Sequence, residues 1–228
     1  MDTPSLDIQA IRAKYLNQDE PNLLEENLKT SNPFELFDFW FKNVAAQSDL
    51  TFEEINAVSL STVGNDLRPS SRMVLLKAYN STGFSFYTNY TSRKGQQLHE
   101  NPHAAMLFYW PKVNRQVRLE GKVEKLPNEM AEAYWNSRPL ASRIGSKSSD
   151  QSTTIPSRQF LEIKKSELTA LAAQEGPESI TKPDSWGGYI LIPTYFEFWQ
   201  GQSDRLHDRI VFDRDDDSDI WLMKRLSP

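Results

Sequence analysis

From Phe196 to Arg209 the chain reads Phe-Glu-Phe-Trp-Gln-Gly-Gln-Ser-Asp-Arg-Leu-His-Asp-Arg, a dense collection of side chains able to do chemistry. Arg205 and Arg209 each offer a planar fork of donors suited to phosphate or carboxylate. His207 lies between them and can bind or donate near neutral pH. Trp199 supplies a flat apolar surface on which a ring system can lie. A structural strand has little use for this mixture, whereas a pocket for a phosphorylated aromatic ligand uses all of it.

Further clusters lie upstream. Arg72 and Lys77 bracket the apolar run Met73-Val74-Leu75-Leu76, which reads as a mostly buried strand. Their odd separation puts them on opposite faces, so they suit two ligands or two ends of one ligand. From spacing alone, strand-end charges reaching for water are the favoured reading. Thr91-Ser92-Arg93-Lys94 gathers hydroxyls, backbone N–H groups and two cations at a helix start, where phosphate binds well. In Arg115-Gln116-Val117-Arg118, the Gln116 amide can hydrogen-bond a heterocycle edge, although an exposed strand face accounts for it equally. Tyr134, Arg138 and Ser142 are spaced by four and converge as a phosphate cup. Pro139 should end the helix near Arg138 and leave Ser142 on the following loop. Gln151-Ser152 falls in the polar stretch Ser146 to Thr154, which also reads simply as a mobile loop.

The composition removes other chemistries. There is no cysteine, hence no thiol nucleophile, thiolate metal site or disulfide. The three histidines, His99, His103 and His207, make no zinc pattern, and no Gly-x-Ser-x-Gly elbow occurs, so no metal is expected. Asp213 to Asp219 reads as a solvated hairpin loop, since it lacks the glycine and terminal glutamate of a calcium loop. An organic cofactor is the natural remaining source of chemistry. A net charge of −5 argues against a general nucleic-acid binder. No apolar run has the length of a membrane helix, and the acidic start Met1 to Asp7 is unlike a secretory or transit signal. The cytoplasm is the expected compartment, with the nucleus also open.

The elements that must position these groups follow from periodicity. The stretch Leu6 to Leu28 is largely polar and reads as an arm, with 1–30 a partly mobile segment and 31–228 a single domain. Asn32-Pro33 opens a helix whose apolar face is Phe34, Leu36, Phe37, Trp40 and Phe41. Strands are expected from Ala57, through Arg72 to Lys77, from Gly83 to Thr88, from Ala104 to Trp110 and from Gln116 to Leu126. Helices are expected from Ser92 to His99, Asn128 to Ser137 and Ser157 to Ala173, and strands again from Gly188 to Leu226. Short strands with inserted helices predict an α+β, mainly β fold of barrel or sandwich type.

In this order, the clusters resemble blocks of the pyridoxamine/pyridoxine 5′-phosphate oxidase family. The matching blocks are Arg72 to Lys77, Tyr87-Thr88-Asn89 with Ser92-Arg93-Lys94, Arg115 to Arg118, Tyr134 to Ser142 with Ile144-Gly145, Gln151-Ser152, Trp186-Gly187-Gly188 and Trp199 to Arg209. The resemblance implies an FMN-binding split β-barrel, a Greek-key antiparallel barrel with flanking helices, working as a homodimer with FMN at the subunit interface. It implies oxidation of pyridoxine 5′-phosphate or pyridoxamine 5′-phosphate to pyridoxal 5′-phosphate, O2 being reduced to hydrogen peroxide and ammonia leaving the amine. Carried over by position, Arg72, Met73, Val74, Leu75, Leu76, Lys77, Tyr87, Thr88, Arg93, Lys94, Gln116, Gln151, Ser152, Trp199 and Arg209 would hold FMN. Lys77, Tyr134, Arg138 and Ser142 would grip the substrate phosphate. Arg205, Leu206 and His207 would contact the substrate, with Arg205 and His207 as the catalytic pair. Arg12 and Tyr15 resemble arm residues that close over it.

Two places depart from the family pattern. Ser146-Lys147 stands where Ala-Trp is common, and Glu53 to Ala57 differs from an acid-Pro-x-Ala form. The first would alter the loop near Gln151 without removing a contact. The rival readings are a split-barrel oxidase of another substrate, a non-catalytic carrier of FMN or pyridoxal phosphate, and a plain interaction module.

Overall fold

The structure, a computed structural model, describes residues 22–47, 54–215 and 218–228. Arg12 and Tyr15 lie outside the described residues. The elements are α1 (Pro33–Ala45), β1 (Ala57–Val63), β2 (Pro69–Leu75), β3 (Ala78–Tyr79), β4 (Phe84–Asn89), α2 (Arg93–Glu100), β5 (His103–Trp110) and β6 (Arg115–Lys125). After these come α3 (Asn128–Ser137), α4 (Leu140–Lys147), α5 (Arg158–Glu175), β7 (Trp186–Gln200), β8 (Asp208–Asp213) and β9 (Leu222–Arg225). The strands follow the order β2-β1-β5-β6-β7-β4-β3, with β8 pairing β7 and β9. Every described register is antiparallel. That is the mainly β, α+β class expected from the alternation.

Contacts divide the chain into two compact units. The smaller takes the described residues of Met1–Ile55 with Phe108–Arg118 and Tyr195–Pro228. Here α1 begins as its sequence dictates: the Asn32 side chain accepts from Phe34 N at 2.9 Å, and Pro33 occupies the first turn. Leu36, Phe37, Trp40 and Val44 are buried at helical spacing, so the expected apolar face is core. Trp40 meets Phe198 edge-on at 5.3 Å, and Phe37 meets Phe108 at 5.1 Å. The segment just before α1 contacts the C-terminal strands. Arg225 bridges Glu25 and Asp208 at 2.8 Å each, and its guanidinium also donates to the Leu23 carbonyl. Leu23 N donates to Asp208 Oδ2 at 3.0 Å. These contacts tie residues 23–25 to β8 and β9.

The larger unit takes Asn56–Leu107 and Leu119–Thr194. In β1 the side chains of Val58, Leu60 and Thr62 are buried and their neighbours half-buried, the period-two signature of a strand with one core face. β2 pairs with β1 in the register Leu60↔Arg72 and ends the strand order. Its apolar run is not mostly buried as expected: Met73 is 62% exposed. Among the described residues β2 has a strand neighbour on one side only, and Met73, Val74 and Leu75 line a cavity instead of packed core. A second core gathers Trp135, Ile144, Ala172, Ile180 and Trp186, joining α3, α4 and α5.

Candidate functional site

A cavity of about 620 Å³ opens within the larger unit. β2 and the turn after it contribute Met73, Val74, Leu75 and Lys77; β4 contributes Tyr87, Thr88 and Asn89. The remaining walls are Lys94 of α2, Tyr134, Arg138 and Pro139 around the end of α3, Ser142, Gly145 and Ser146 of α4, then Ser149, Gln151 and Trp186.

One cationic group stands where α2 begins. Ser92 caps that helix, accepting from Gly95 N at 3.4 Å while donating to Asn89 O at 2.7 Å. A Cβ at Gly95 would lie 2.1 Å from the Tyr90 carbonyl oxygen, so only glycine lets the helix start this close to β4. Lys94 is thereby buried, its Nζ donating to Gln151 Oε1 at 2.7 Å, Thr88 Oγ1 at 3.1 Å and Ser92 Oγ at 3.4 Å. Burial, and then the positive charge of Arg72, bring its pKa down to about 8. Arg72 donates to Thr62 Oγ1 and Ser70 Oγ, both at 2.6 Å, and to Leu60 O at 3.0 Å. Gln97 Oε1 ties that cluster together, accepting from Thr62 at 2.7 Å and Ser70 at 2.8 Å. Burial and then the charge of Arg93 lower the Arg72 pKa. Among the described residues, the acceptors that hold Arg72 and Lys94 are all neutral. Their charge is hydrogen-bonded but not neutralised, an arrangement that suits a bound anion.

A second cationic group of the cavity, at Arg138, rests on aromatic rings. Tyr134 stacks on Tyr87 at 4.1 Å, and Tyr87 on Trp186 at 5.4 Å. The Arg138 guanidinium lies 5.1 Å from the Trp186 ring centre and 5.3 Å from that of Trp135. Its Nη2 donates to Ser146 Oγ at 2.9 Å and Ser142 O at 3.3 Å, while the buried Nη1 has no partner. Burial lowers the Arg138 pKa, opposed by the charge of Tyr134. A buried guanidinium N–H without an acceptor is costly, and an anionic oxygen would supply one.

The smaller unit carries the C-terminal cluster. Trp199 and Arg209 face each other across the β7–β8 register, and the Trp199 and His207 rings lie 4.9 Å apart. Gln202 N donates to His207 Nδ1 at 3.0 Å, which puts the proton of the neutral ring on Nε2. Arg205 is exposed and sits at φ 68°, in the left-handed region that side chains rarely adopt. Arg209 Nε and Arg118 Nη2 each hold one oxygen of Glu197 at 2.7 Å. Burial opposes the Glu197 charge, but the two arginines hold its carboxyl below the usual range. Gln116 is half-buried at the start of β6.

The sequence-derived candidates therefore divide. Met73, Val74, Leu75, Lys77, Tyr87, Thr88, Lys94, Tyr134, Arg138, Ser142 and Gln151 line one cavity. Arg72, Leu76, Arg93 and Ser152 belong to the same unit but not to the lining; Leu76 is buried, and Ser152 is exposed at φ 72°. Gln116, Trp199, Arg205, Leu206, His207 and Arg209 belong to the smaller unit. Ser142 is not on a loop, because Pro139 begins a new helix, α4, instead of only ending the old one. Arg72 does not reach for water; it turns into the Thr62, Ser70 and Gln97 cluster. Ser146 lies in a helix and adds a contact, the Arg138 bond, that the sequence reading had not foreseen. Its signal was present in the departure at Ser146-Lys147, but nothing in the spacing tied it to Arg138. Among the described residues, no cluster of histidines and acids could hold a metal ion, and no helix is long and apolar enough to cross a membrane.

Residues 45–172 match the family model for pyridoxamine 5′-phosphate oxidase. Residues 186–228 match that for the pyridoxine 5′-phosphate oxidase C-terminal dimerisation region. A Caenorhabditis elegans protein named "Putative pyridoxamine 5′-phosphate oxidase" is 78% identical over 100% of both chains. The Bos taurus pyridoxine-5′-phosphate oxidase is 44% identical, over 98% of this chain and 88% of its own. Among solved structures, PhzG from Burkholderia lata, in complex with tetrahydrophenazine-1-carboxylic acid, superposes with a TM-score of 0.81. It is 30% identical and covers 90% of this chain and 98% of its own. The fold is thus the split barrel of this family.

Proposed function

This chain belongs to the pyridoxamine 5′-phosphate oxidase family, and from that premise we propose that it oxidises pyridoxine 5′-phosphate and pyridoxamine 5′-phosphate to pyridoxal 5′-phosphate. FMN would be its cofactor, O2 its final acceptor, and a homodimer its working form. The observation that carries this reading is a single cavity with one cationic group around Lys94 and another at Arg138, each provided with neutral hydrogen-bond partners. A cofactor and a substrate that each end in a phosphate need two such places.

Arg72, Arg93 and Lys94 would hold the cofactor phosphate, helped by Thr88, Gln151 and Ser152. Met73 to Lys77, Tyr87, Gln116, Trp199 and Arg209 would supply the rest of the FMN site. Lys77, Tyr134, Arg138 and Ser142 would hold the substrate phosphate, and Arg205, Leu206 and His207 its ring. FMN, when bound, supplies the two-electron acceptor that no side chain of this composition provides. The chain contributes alignment and electrostatics. The Nε2 proton of His207 makes that side chain a donor toward the substituent on the substrate ring, and Arg205 a fixed positive charge beside it. For the alcohol, C4′ loses one hydrogen with its electron pair and the hydroxyl loses a proton, while O2 gains both and becomes H2O2. The amine loses the same two electrons and two protons to give an imine, which water hydrolyses to the aldehyde with release of ammonia, O2 again becoming H2O2.

A pure carrier of FMN or pyridoxal phosphate would not require Arg205 and His207 together with the Tyr134, Arg138 and Ser142 cup. Anaerobic mixing of the FMN-loaded protein with pyridoxine 5′-phosphate is the test. Bleaching of the flavin with matched aldehyde formation, reversed by oxygen, is expected. An unchanged spectrum with both substrates would overturn the reading. Arg205→Ala and His207→Ala are each expected to retain FMN and to lose turnover by about two orders of magnitude or more. Loss of flavin with turnover per bound flavin intact would remove both residues from the catalytic role.

A further inference from the structure

We propose that Ser146 is a substrate-phosphate ligand of this protein, acting both directly and by positioning Arg138. The inference rests on the reading of Arg138 as the residue that takes the substrate phosphate. A serine hydroxyl has one donor and two acceptor sites. Ser146 Oγ accepts from Arg138 Nη2 at 2.9 Å and donates to no group among the described residues. Its side chain is on the cavity wall, one helical turn after Ser142, so α4 presents the two hydroxyl-bearing residues on one face.

The pairing sets the orientation of the guanidinium. With Nη2 turned to Ser146 and Ser142, Nη1 remains the buried N–H without an acceptor. The guanidinium carbon meanwhile lies over the Trp135 ring at 5.3 Å and the Trp186 ring at 5.1 Å. A phosphate that accepts from Nη1 would also accept a hydrogen bond from the Ser146 hydroxyl, giving one charge-assisted contact from the residue that caps α3 and one from α4. With alanine at 146, Nη2 would keep only the 3.3 Å contact to Ser142 O, and the guanidinium would lose its stop against rotation.

The test compares wild type, Ser146→Ala, Ser146→Thr and Arg138→Ala as FMN-loaded proteins. Tryptophan fluorescence reads the binding of pyridoxal 5′-phosphate, of pyridoxal and of inorganic phosphate, and steady-state kinetics are run beside it. Ser146→Ala is expected to weaken pyridoxal 5′-phosphate and inorganic phosphate by about five- to twenty-fold. Pyridoxal affinity should not change, and KM should rise by more than kcat falls. Threonine, which keeps the hydroxyl, should recover most of the affinity. Equal pyridoxal 5′-phosphate affinity in wild type and Ser146→Ala would overturn the inference, as would an equal loss for pyridoxal. If Arg138→Ala leaves phosphate affinity intact, the Arg138 reading falls and the inference with it. If phosphate binding responds as expected but neither substrate is oxidised, Ser146 stands and the proposed oxidase reaction falls.

Discussion

Lys94 joins two properties that pull in opposite directions with pH. Its pKa in the folded chain is about 8, brought down first by burial and then by Arg72. Between about pH 8 and the ordinary lysine value the unfolded chain therefore binds the proton that the folded chain has released. Unliganded stability should accordingly rise with pH through that window. An anion reverses the preference, because only protonated Lys94 attracts it. Phosphate groups are already doubly charged above about pH 7, so the lysine is the group that titrates there. Flavin fluorescence titrations should show FMN affinity falling as pH rises from about 7 to 9.5, with Lys94→Gln weaker throughout and flatter. A wild-type affinity that stays level across that range would remove Lys94 from the phosphate site. Arg205 offers a second residue-scale test. Its φ of 68° costs an L-residue on the order of 1 kcal/mol, and its exposed side chain gives little stability in return. Arg205→Gly should therefore raise the melting temperature slightly while abolishing turnover, whereas Arg205→Ala should lose turnover without that gain. If glycine and alanine melt alike, the backbone there is not strained.

The start of α2 is the element on which the proposed cofactor-phosphate site depends. Gly95 faces the Tyr90 carbonyl with no room for a Cβ, so Gly95→Ala must push α2 away from β4. Displacement would separate Lys94 from Thr88 and Gln151, both bonded to its Nζ. We expect a stability loss of about 1–3 kcal/mol by denaturant titration, accompanied by weakened FMN binding. Unaltered flavin affinity would show that the close approach is not what places Lys94. This helix was legible in the sequence, because Ser92 announces its cap and Asn101-Pro102 its end. α1 was equally plain, its Asn32-Pro33 start joined to an apolar face, and α3 and α5 were legible as helical patterns. α4 was not. Leu-Ala-Ser-Arg-Ile-Gly-Ser-Lys has weak propensity and buries Ile144 alone, so its helix is stabilised by packing against Trp135 and its neighbours. Reading Pro139 only as a stop hid the element that carries Ser142 and Ser146. β2 was misjudged for a related reason, since an apolar run looks the same whether it faces core or cavity. The Thr62, Ser70 and Gln97 cluster around Arg72 was out of reach because its members meet only through the β1–β2 pairing and α2.

At the scale of the molecule, the C-terminal strands answer to association as well as to folding. Residues 186–228, spanning β7 to β9, match a dimerisation region, and the same strands carry Trp199 and Arg209. If the protein folds as an obligate homodimer, its stability contains a concentration term that a monomer lacks. Cofactor binding adds a separate term, about 2.7 kcal/mol when free FMN is a hundred times its Kd. These two contributions can be separated. The melting temperature should climb with protein concentration at fixed saturating FMN, and climb again with FMN at fixed protein. In Lys94→Gln the FMN response should shrink while the concentration response survives, because Lys94 belongs to the cavity and not to the matched C-terminal region. Sedimentation equilibrium should give a particle of twice the chain mass for both proteins. A melting temperature indifferent to concentration, with a particle of single-chain mass, would refute the homodimer. Retained turnover in such a monomer would go further, showing that one chain alone assembles a complete site and that the match at 186–228 reflects descent, not assembly.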